Sequence, residues 1–196
     1  MRPCFFTSLS TGYLPKAMAW ASSVRNIYEH ASIYLFIFNY SEIGANTVAA
    51  LESYCQEKVG GNIFVLDSAS CLESPSYYTY IYDLTEGCTA VKPALAASLL
   101  RKYDNVTYMD PDTILYNALD PDGFHEYSLQ LTPHILDPLG IPGLISPSLF
   151  LKSGVYNLGY FSVSATQEAF DFLAWWGDHL RRFCFCLLYT SPSPRD

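Results

Sequence analysis

Short, continuously apolar runs alternate with helix-like stretches over much of this 196-residue chain. The apolar runs are PCFFTSLS, SIYLFIF, NIFVL and NVTYM, and each has about the length of a strand. Between them, LPKAMAWASSVRNIYEH repeats apolar residues at the spacing of one helix face, and NTVAALESYCQEKV does so more weakly. Strands that are apolar on both faces are covered on both faces, so the pattern predicts an α/β fold with a mostly parallel sheet between helices. Ligands of such sheets bind beyond the carboxyl ends of the strands.

Later segments predict further elements of the same domain. DSASCLESPSYYTY reads as a loop, and CTAVKPALAASLLRKY as a helix with Pro93 in its first turn, where a missing N–H costs least. YSLQLTP and SGVYNLGYFSV are predicted strands. TQEAFDFLAWWGDHLRRF is a predicted helix capped by Thr166, with Glu168 in its first turn. We interpret Trp175 and Trp176 as core residues, with sugar stacking by Trp175 as the alternative.

The sequence changes character after Phe183. CFCLLYTSPSPRD follows neither helical nor strand periodicity and looks like the translation of a sequencing adapter. We therefore expect one domain over residues 1–183, truncated at its C-terminus, and a non-native tail over residues 184–196.

Composition excludes several classes of function. The net charge is −8, and the eleven lysines and arginines form no basic stripe, which argues against nucleic acid as the partner. The N-terminus lacks the apolar stretch of a signal peptide, and no run approaches the roughly 18–20 apolar residues of a transmembrane segment. The six cysteines form no CxxC pair and are expected to be reduced thiols. We expect a protein of the cytoplasm, either free or peripheral to the inner membrane.

The tripeptide Asp-Pro-Asp occurs twice, and its surroundings differ. Asp120-Pro121-Asp122-Gly123 follows no strand-like run and matches a type I turn. Asp110-Pro111-Asp112 follows the predicted strand NVTYM, and Pro111 is unsuited to a central strand, so the strand ends here. In an extended chain residues i and i+2 point to the same side, so the carboxylates of Asp110 and Asp112 are expected to face one cation. Carboxylate oxygens suit Mg²⁺ or Mn²⁺. A solvated acidic loop is the alternative.

Four segments in a fixed order resemble the GT-A fold of nucleotide-sugar-dependent glycosyltransferases. They are YIYDLTEGCTAVKPALAASLL, VTYMDPDTILYNAL, LQLTPHILDPL and SGVYNLGYFSV…FLAWW. The similarity covers roughly residues 3 to 183 and looks like the bacterial branch with a DxD motif, more distantly like the glycogenin and lipopolysaccharide galactosyltransferase group. It implies a GT-A-like, Rossmann-like domain that uses Mn²⁺ or Mg²⁺ to transfer sugar from a nucleotide-sugar donor, a UDP-sugar in the first instance, to a glycan or lipid-linked acceptor.

The resemblance also implies roles for individual residues. Asp110 and Asp112 match the DxD pair that holds the metal against the donor diphosphate. Thr7 and Tyr13 match the strand and loop that cradle the base, although the family's Asp-Asn-Tyr appears here as Ser10-Thr11-Gly12-Tyr13. The remaining matches are to nucleotide-sugar contacts at Lys92, Asn157 and Gly159, and to a recurring histidine of unassigned role at His134.

Each of these residues has a structural alternative. Lys92 could be an ordinary exposed helix lysine, Asn157 could satisfy backbone groups of a buried strand, and His134 could be a structural hydrogen-bonding residue. Asp83 is a further candidate, and its structural alternative is that its negative charge only stabilises the positive N-terminal end of a helix.

The sequence shows neither a general base nor the third metal ligand, often a histidine, that related enzymes take from near the C-terminus. The expected function is therefore metal-assisted glycosyl transfer through Asp110 and Asp112, with the fragment inactive if its missing part is essential. The alternatives are a non-catalytic nucleotide-sugar binding module and a sugar-phosphate nucleotidyltransferase. The latter requires a glycine-rich phosphate loop, of which TSLSTGYLPK is a poor version.

Overall fold

The computed structural model describes residues 3–39, 45–119, 127–134 and 154–184, which form one mixed sheet with helices on both faces. The strands in these ranges are β1 (Cys4–Leu9), β2 (Ser32–Ile37), β3 (Ile63–Asp67), β4 (Asn105–Met109), β5 (Leu129–Pro133) and β6 (Tyr156–Ser164). The α-helices are α1 (Leu14–Ile27), α2 (Ala45–Val59), α3 (Pro75–Ile81), α4 (Leu84–Ala90), α5 (Lys92–Leu100) and α6 (Gln167–Phe183). Short 3-10 helices span Thr11–Tyr13 and Ser68–Cys71.

The sheet has the strand order β3-β2-β1-β4-β6-β5. The four strands from β3 to β4 are parallel, and β6 runs antiparallel to both β4 and β5. This confirms the predicted, mostly parallel sheet. Because β6 is reversed, Tyr160 pairs with Met109, and the first half of β6 lies beside the carboxyl end of β4.

One face of the sheet is closed by α1 and α2. Phe5 and Leu9 of β1 point to this face and pack with the fully buried Trp20 of α1. Burying a side chain of this size contributes about 1.5–3 kcal/mol, so the apolar face of α1 is the main reason why this amphipathic segment forms a helix here. The predicted periodicity of α1 and α2 is confirmed.

The opposite face is closed by α3, α4, α5 and α6 around an aromatic cluster. The ring of Phe161 in β6 stacks on Tyr108 at 5.1 Å and meets Trp176 edge-on at 5.2 Å. Trp176 is buried, which confirms its interpretation as a core residue, whereas Trp175 is 57% exposed and lies beside His179. Within the described residues no helix has both the length and the apolar character needed to cross a bilayer.

Two element predictions need correction. The segment 67–80, expected to be a loop, contains the 3-10 helix after β3 and α3. Asp67 caps the 3-10 helix by accepting a hydrogen bond from the Ala69 N–H at 2.8 Å. Pro75 occupies the first turn of α3, where proline is favoured. The single helix expected over 88–103 is two helices that meet at Val91, because Pro93 cannot donate the hydrogen bond that a continuous helix requires.

The cap predicted for the last helix is confirmed. The Thr166 hydroxyl accepts a hydrogen bond from the Ala169 N–H at 3.2 Å, and Glu168 lies in the first turn of α6. The tail from residue 185 onward lies outside the described residues.

Candidate active site

A cavity of about 190 Å³ lies at the carboxyl ends of β1 and β4. The strand order reverses at β1, because β2 and β3 extend the sheet on one side of it and β4 lies on the other. Ligands of open α/β sheets bind at such a reversal, so the cavity is where the fold predicts a site. Four of the predicted site residues line it, namely Tyr13, Lys92, Asp110 and Asp112, together with Ser8, Leu9, Ser10, Leu84, Thr85, Cys88, Thr89, Tyr108 and Pro111.

The chain turns at Asp110 instead of continuing as a strand. β4 ends at Met109, and the Asp110 carbonyl accepts hydrogen bonds from the N–H and the hydroxyl of Thr113, at 3.1 and 2.7 Å. The expectation of extended geometry through Asp112 is therefore wrong, and the reason is that Asp-Pro also favours a turn. Both carboxylates nevertheless line the cavity, so a turn and a shared site are compatible here.

The Asp110 carboxylate is held on one oxygen. Oδ1 accepts hydrogen bonds from the Tyr108 hydroxyl at 2.6 Å and from Lys92 Nζ at 3.1 Å. The Asp110 N–H donates to the Gly159 carbonyl at 2.8 Å, and Lys92 Nζ donates to the Leu158 carbonyl at 3.1 Å. Side chain and backbone of Asp110 are thus fixed by β4, α5 and β6 together.

Lys92 is buried, so the alternative of an exposed helix lysine is wrong. It is 4% exposed, and its Nζ lies 4.3 Å from the centroid of the Tyr108 ring. Burial lowers the pKa of Lys92, and the negative charge of Asp110 opposes this shift. Burial, followed by Asp110, raises the pKa of the Tyr108 hydroxyl, which therefore keeps its proton and remains a donor. Burial also raises the pKa of Cys88 to about 12, so this cavity-lining group is a thiol at neutral pH.

Asp112 is held far less firmly. Its Oδ2 lies 3.9 Å from Lys16 Nζ, and both side chains are at least half exposed. Lys16 in turn lies 4.5 Å from the centroid of the Tyr13 ring. Exposed pairs of this kind contribute about 0–1 kcal/mol, so Asp112 can reorient at little cost.

The loop after β1 is fixed by a residue that the sequence analysis missed. Asn39, just after β2, accepts a hydrogen bond from the Thr11 N–H at 3.1 Å and donates to the Thr11 hydroxyl at 3.2 Å. Thr7 does not line the cavity; it is fully buried among the residues of β1. Side chains alternate along a strand, so Ser8 points to the opposite face of the sheet from Thr7. Ser8 and Leu9 are the β1 residues that line the cavity, and the Ser8 hydroxyl donates to the Cys88 carbonyl at 2.6 Å.

Asn157 and Gly159 lie beside Asp110 at the start of β6. The Gly159 N–H donates to Asn157 Oδ1 at 2.7 Å, so the side chain of Asn157 does satisfy a backbone group. A Cβ atom on Gly159 would lie 3.0 Å from Asp110 Oδ2 and 2.8 Å from Asn157 Oδ1. Because Gly159 has no side chain, Asp110 Oδ2 has room at this position.

The other candidates lie apart from this group. His134 directly follows β5 and is exposed. Its Nδ1 lies 3.0 Å from the carbonyl of Gly154, which precedes β6. Asp83 caps α4 by accepting from the N–H groups of Thr85 and Glu86, both at 2.8 Å. The second tripeptide, residues 120–122, lies outside the described residues.

The residues at the cavity fit a divalent cation in part. Asp110 and Asp112 supply the hard carboxylate oxygens that Mg²⁺ and Mn²⁺ prefer, and Asp110 Oδ1 is already occupied by two donors. Among the described residues no three His, Cys, Asp or Glu side chains form a group that could hold an ion. A cation here would take its other ligands from phosphate oxygens and water, as Mg²⁺ commonly does.

Comparison with known proteins gives a likeness of fold. No protein-family model and no curated protein matches the sequence. The glycosyltransferase GlyE of Streptococcus pneumoniae TIGR4 superimposes with a TM-score of 0.51 at 16% identity, over 93% of this chain and 37% of its own. The galactosyltransferase LgtC, in complex with donor and acceptor sugar analogues, gives 0.50 at 15% identity, over 91% of this chain and 65% of its own.

A fungal structure gives a similar result. Core-mannan synthase A of Aspergillus fumigatus, in a form with Mn and GDP, superimposes with a TM-score of 0.52 at 7% identity, over 94% of this chain and 66% of its own. The chain thus spans between about a third and two thirds of the length of these three structures. It has the GT-A-like fold of glycosyltransferases, with two carboxylates at the carboxyl edge of its sheet.

Proposed function

We propose that this chain is the donor-binding part of a glycosyltransferase that moves a sugar from a nucleotide-sugar, a UDP-sugar in the first instance, to a glycan or lipid-linked acceptor. The observation that carries the proposal is the grouping of Asp110, Asp112 and the buried Lys92 around one cavity at the carboxyl edge of the sheet. The GT-A-like fold supports it, because glycosyltransferases share this sheet.

The chemical problem in such a transfer is the charge of the leaving group. The bond between the anomeric carbon and a phosphate oxygen breaks with its electron pair on the diphosphate, and an acceptor oxygen forms the new bond as it loses its proton. The sugar passes through an oxocarbenium-like state. Fixed positive charge beside the diphosphate stabilises this charge separation without reorganisation.

The chain supplies this environment with its own residues. Lys92 provides a buried positive charge, and Asp110 is held rigidly beside it. Tyr13 is 43% exposed at the cavity, so its ring is available to a nucleotide base. A divalent cation held by Asp110 and Asp112 would neutralise negative charge on the departing diphosphate.

Binding of the donor tests the proposal. In the 196-residue chain, a UDP-sugar with Mn²⁺ should raise Tm by several degrees, since a ligand at about 100 times its Kd stabilises by ~2.7 kcal/mol. Asp112→Asn should abolish this rise, because one of the two carboxylates is neutralised. Asp104→Asn is the matched control, because Asp104 is exposed and just precedes β4, at the end of the strand away from the cavity. Differential scanning fluorimetry over a panel of sugar nucleotides measures both.

The outcomes separate the candidate functions. If no sugar nucleotide shifts Tm, or if the two variants behave alike, the proposal is contradicted. Binding without sugar transfer or donor hydrolysis would favour a binding module. Release of pyrophosphate from a nucleoside triphosphate and a sugar phosphate would favour a nucleotidyltransferase.

A further inference from the structure

Tyr108 contacts Asp110 directly, and neither the Asp-Pro-Asp motif nor the proposed function uses it. It is the fourth residue of β4 and is 1% exposed, and its hydroxyl lies 2.6 Å from Asp110 Oδ1. Tyr108 and Asp110 are two positions apart at the end of the strand, so their side chains leave the backbone on the same side.

The direction of this hydrogen bond follows from counting protons. The carboxylate has no proton, so the Tyr108 hydroxyl must donate to it. Ser8 also lies near, with its Oγ 3.3 Å from the Tyr108 hydroxyl, but the Ser8 proton is committed to the Cys88 carbonyl at 2.6 Å. The single proton of Tyr108 therefore belongs to Asp110.

The Lys92 ammonium is committed in the same way. It has three N–H groups, and three partners surround it: Asp110 Oδ1 at 3.1 Å, the Leu158 carbonyl at 3.1 Å and the face of the Tyr108 ring at 4.3 Å. With 4% of its surface exposed, Lys92 in this arrangement holds Asp110.

We infer that Tyr108, together with Lys92, is a positioning residue that fixes Asp110 through Oδ1 and so presents Oδ2 to a cation or donor. Oδ2 lies over Gly159, which has no side chain of its own to fill that space. Such outer partners orient a metal-binding carboxylate and typically change metal affinity about 10- to 100-fold when removed. The inference rests on the proposed function, since it names what makes Asp110 a good ligand.

The test is Tyr108→Phe, which removes one hydroxyl and changes no charge. We expect the Kd of the chain for Mn²⁺, measured by electron paramagnetic resonance of free Mn²⁺ without any donor, to rise about tenfold. Tyr34→Phe is the matched control: it also removes a hydroxyl hydrogen bond, to Tyr103 at 2.9 Å, from the same face of the sheet. Its Kd for Mn²⁺ should equal that of the parent chain.

A second measurement needs no metal. The drop in urea midpoint caused by Tyr108→Phe should shrink in the Asp110→Asn background, because neighbours that share an interaction are not additive. An unchanged Kd in Tyr108→Phe, or an equal midpoint drop in both backgrounds, would overturn the inference and leave the proposed function standing. Failure of the parent chain to bind either Mn²⁺ or a sugar nucleotide would overturn both.

Discussion

At the scale of single residues, the two carboxylates of the site differ in how firmly they are held. Asp110 receives two hydrogen bonds on Oδ1 from buried donors, whereas Asp112 has a 3.9 Å contact with a half-exposed lysine. Hydrogen bonds to charged groups contribute about 1.5–3 kcal/mol, and exposed ion pairs contribute about 0–1 kcal/mol. Asp110 is therefore held in one orientation, and Asp112 can reorient at little cost.

Gly159 gives a prediction about the fixed carboxylate. Gly159→Ala should place a Cβ atom 3.0 Å from Asp110 Oδ2 and push that oxygen away. We expect the rise in Tm caused by UDP-sugar and Mn²⁺ to be lost. The Tm of the free chain should fall only modestly, because the backbone of Gly159 is not among those with positive φ and the atoms that must shift, Asn157 Oδ1 and Asp110 Oδ2, are side-chain ends.

The control for this variant is Gly177→Ala in α6, whose Cβ would meet Pro93 at 3.7 Å, an ordinary contact, and no atom of Asp110 within 4 Å. Scanning fluorimetry of both variants, with and without ligand, checks the prediction. A Gly159→Ala chain that responds to the donor like the parent would show that the position of Oδ2 does not matter.

Four of the residues singled out from the sequence lie together in the structure, and their roles stay predictions. Tyr13, Lys92, Asp110 and Asp112 do meet at one cavity. The same-side rule for residues two apart was applied to Asp110 and Asp112, yet the pair that obeys it is Tyr108 and Asp110, because Pro111 closes a turn. Whether Thr7 or Ser8 reaches the cavity depends on which face of the sheet each side chain points to. A continuously apolar strand lacks the alternation of apolar and polar residues that would indicate this.

At the scale of elements, the junction of α4 and α5 determines the site. Val91 lies between the two helices as the C-cap of α4 and the N-cap of α5, and Lys92, the next residue, contacts Asp110 at 3.1 Å. Asp83 begins α4 with a capping box shared with Glu86, so the short helix is fixed at its start as well as at its end. Pro93 indicated the first turn of a helix, but nothing in the sequence showed that another helix would run directly into it.

Gly87 tests how tightly α4 packs. A Cβ atom there would lie 2.1–2.8 Å from ring carbons of the buried Phe38, so the ring would have to move. Replacing glycine by alanine within a helix gains about 1 kcal/mol, whereas overpacking a core costs about 1–3 kcal/mol. We expect Gly87→Ala to lower the free energy of unfolding in urea.

Gly177→Ala in α6 is the comparison for this change as well. It gains the same helix propensity and meets only Pro93 at 3.7 Å, so we expect it to be neutral or stabilising. Equal stabilisation by both substitutions would show that Phe38 has room to move and that α4 is loosely packed.

At the scale of the whole molecule, buried ionisable groups predict the response to alkaline pH. Burial raises the pKa of Cys55 to about 11, of Cys88 to about 12 and of Tyr160 to about 12. In the unfolded chain the thiols lose their protons near pH 9, so between pH 9 and 11 the unfolded state binds fewer protons than the folded one. Stability is therefore complete below pH 9 and falls as the pH rises. The lowered pKa of Lys92 opposes this trend.

Cys55→Ala isolates one contribution. Between pH 8 and 11 the parent chain should lose on the order of 2 kcal/mol more unfolding free energy than the variant. Urea denaturation at the two pH values measures the difference, with Cys71→Ala, a half-buried cysteine, for comparison. Equal losses in the parent and Cys55→Ala chains would mean that this thiol ionises as readily in the folded state.

The sequence also predicted much of the overall architecture. The apolar runs predicted where the strands lie. Because these runs are apolar on both faces, they also predicted that helices cover both sides of the sheet. Both properties can be read from local sequence. The reversal of β6 was not predictable in this way, since the residues of a strand do not indicate whether it pairs parallel or antiparallel with its neighbour. Its direction depends on pairing with β4, which is far from it along the chain.

The reversed strand has a consequence for how the cleft comes into being. Asp110 lies in the first part of the sheet to be synthesised, but its backbone and its lysine partner are tied to the carbonyls of Gly159 and Leu158. On the ribosome, β1 to β4 can emerge and pair while those two partners are still untranslated. The contacts that hold Asp110 are thus complete only after the chain has been made through β6, whatever the order in which the earlier strands assemble.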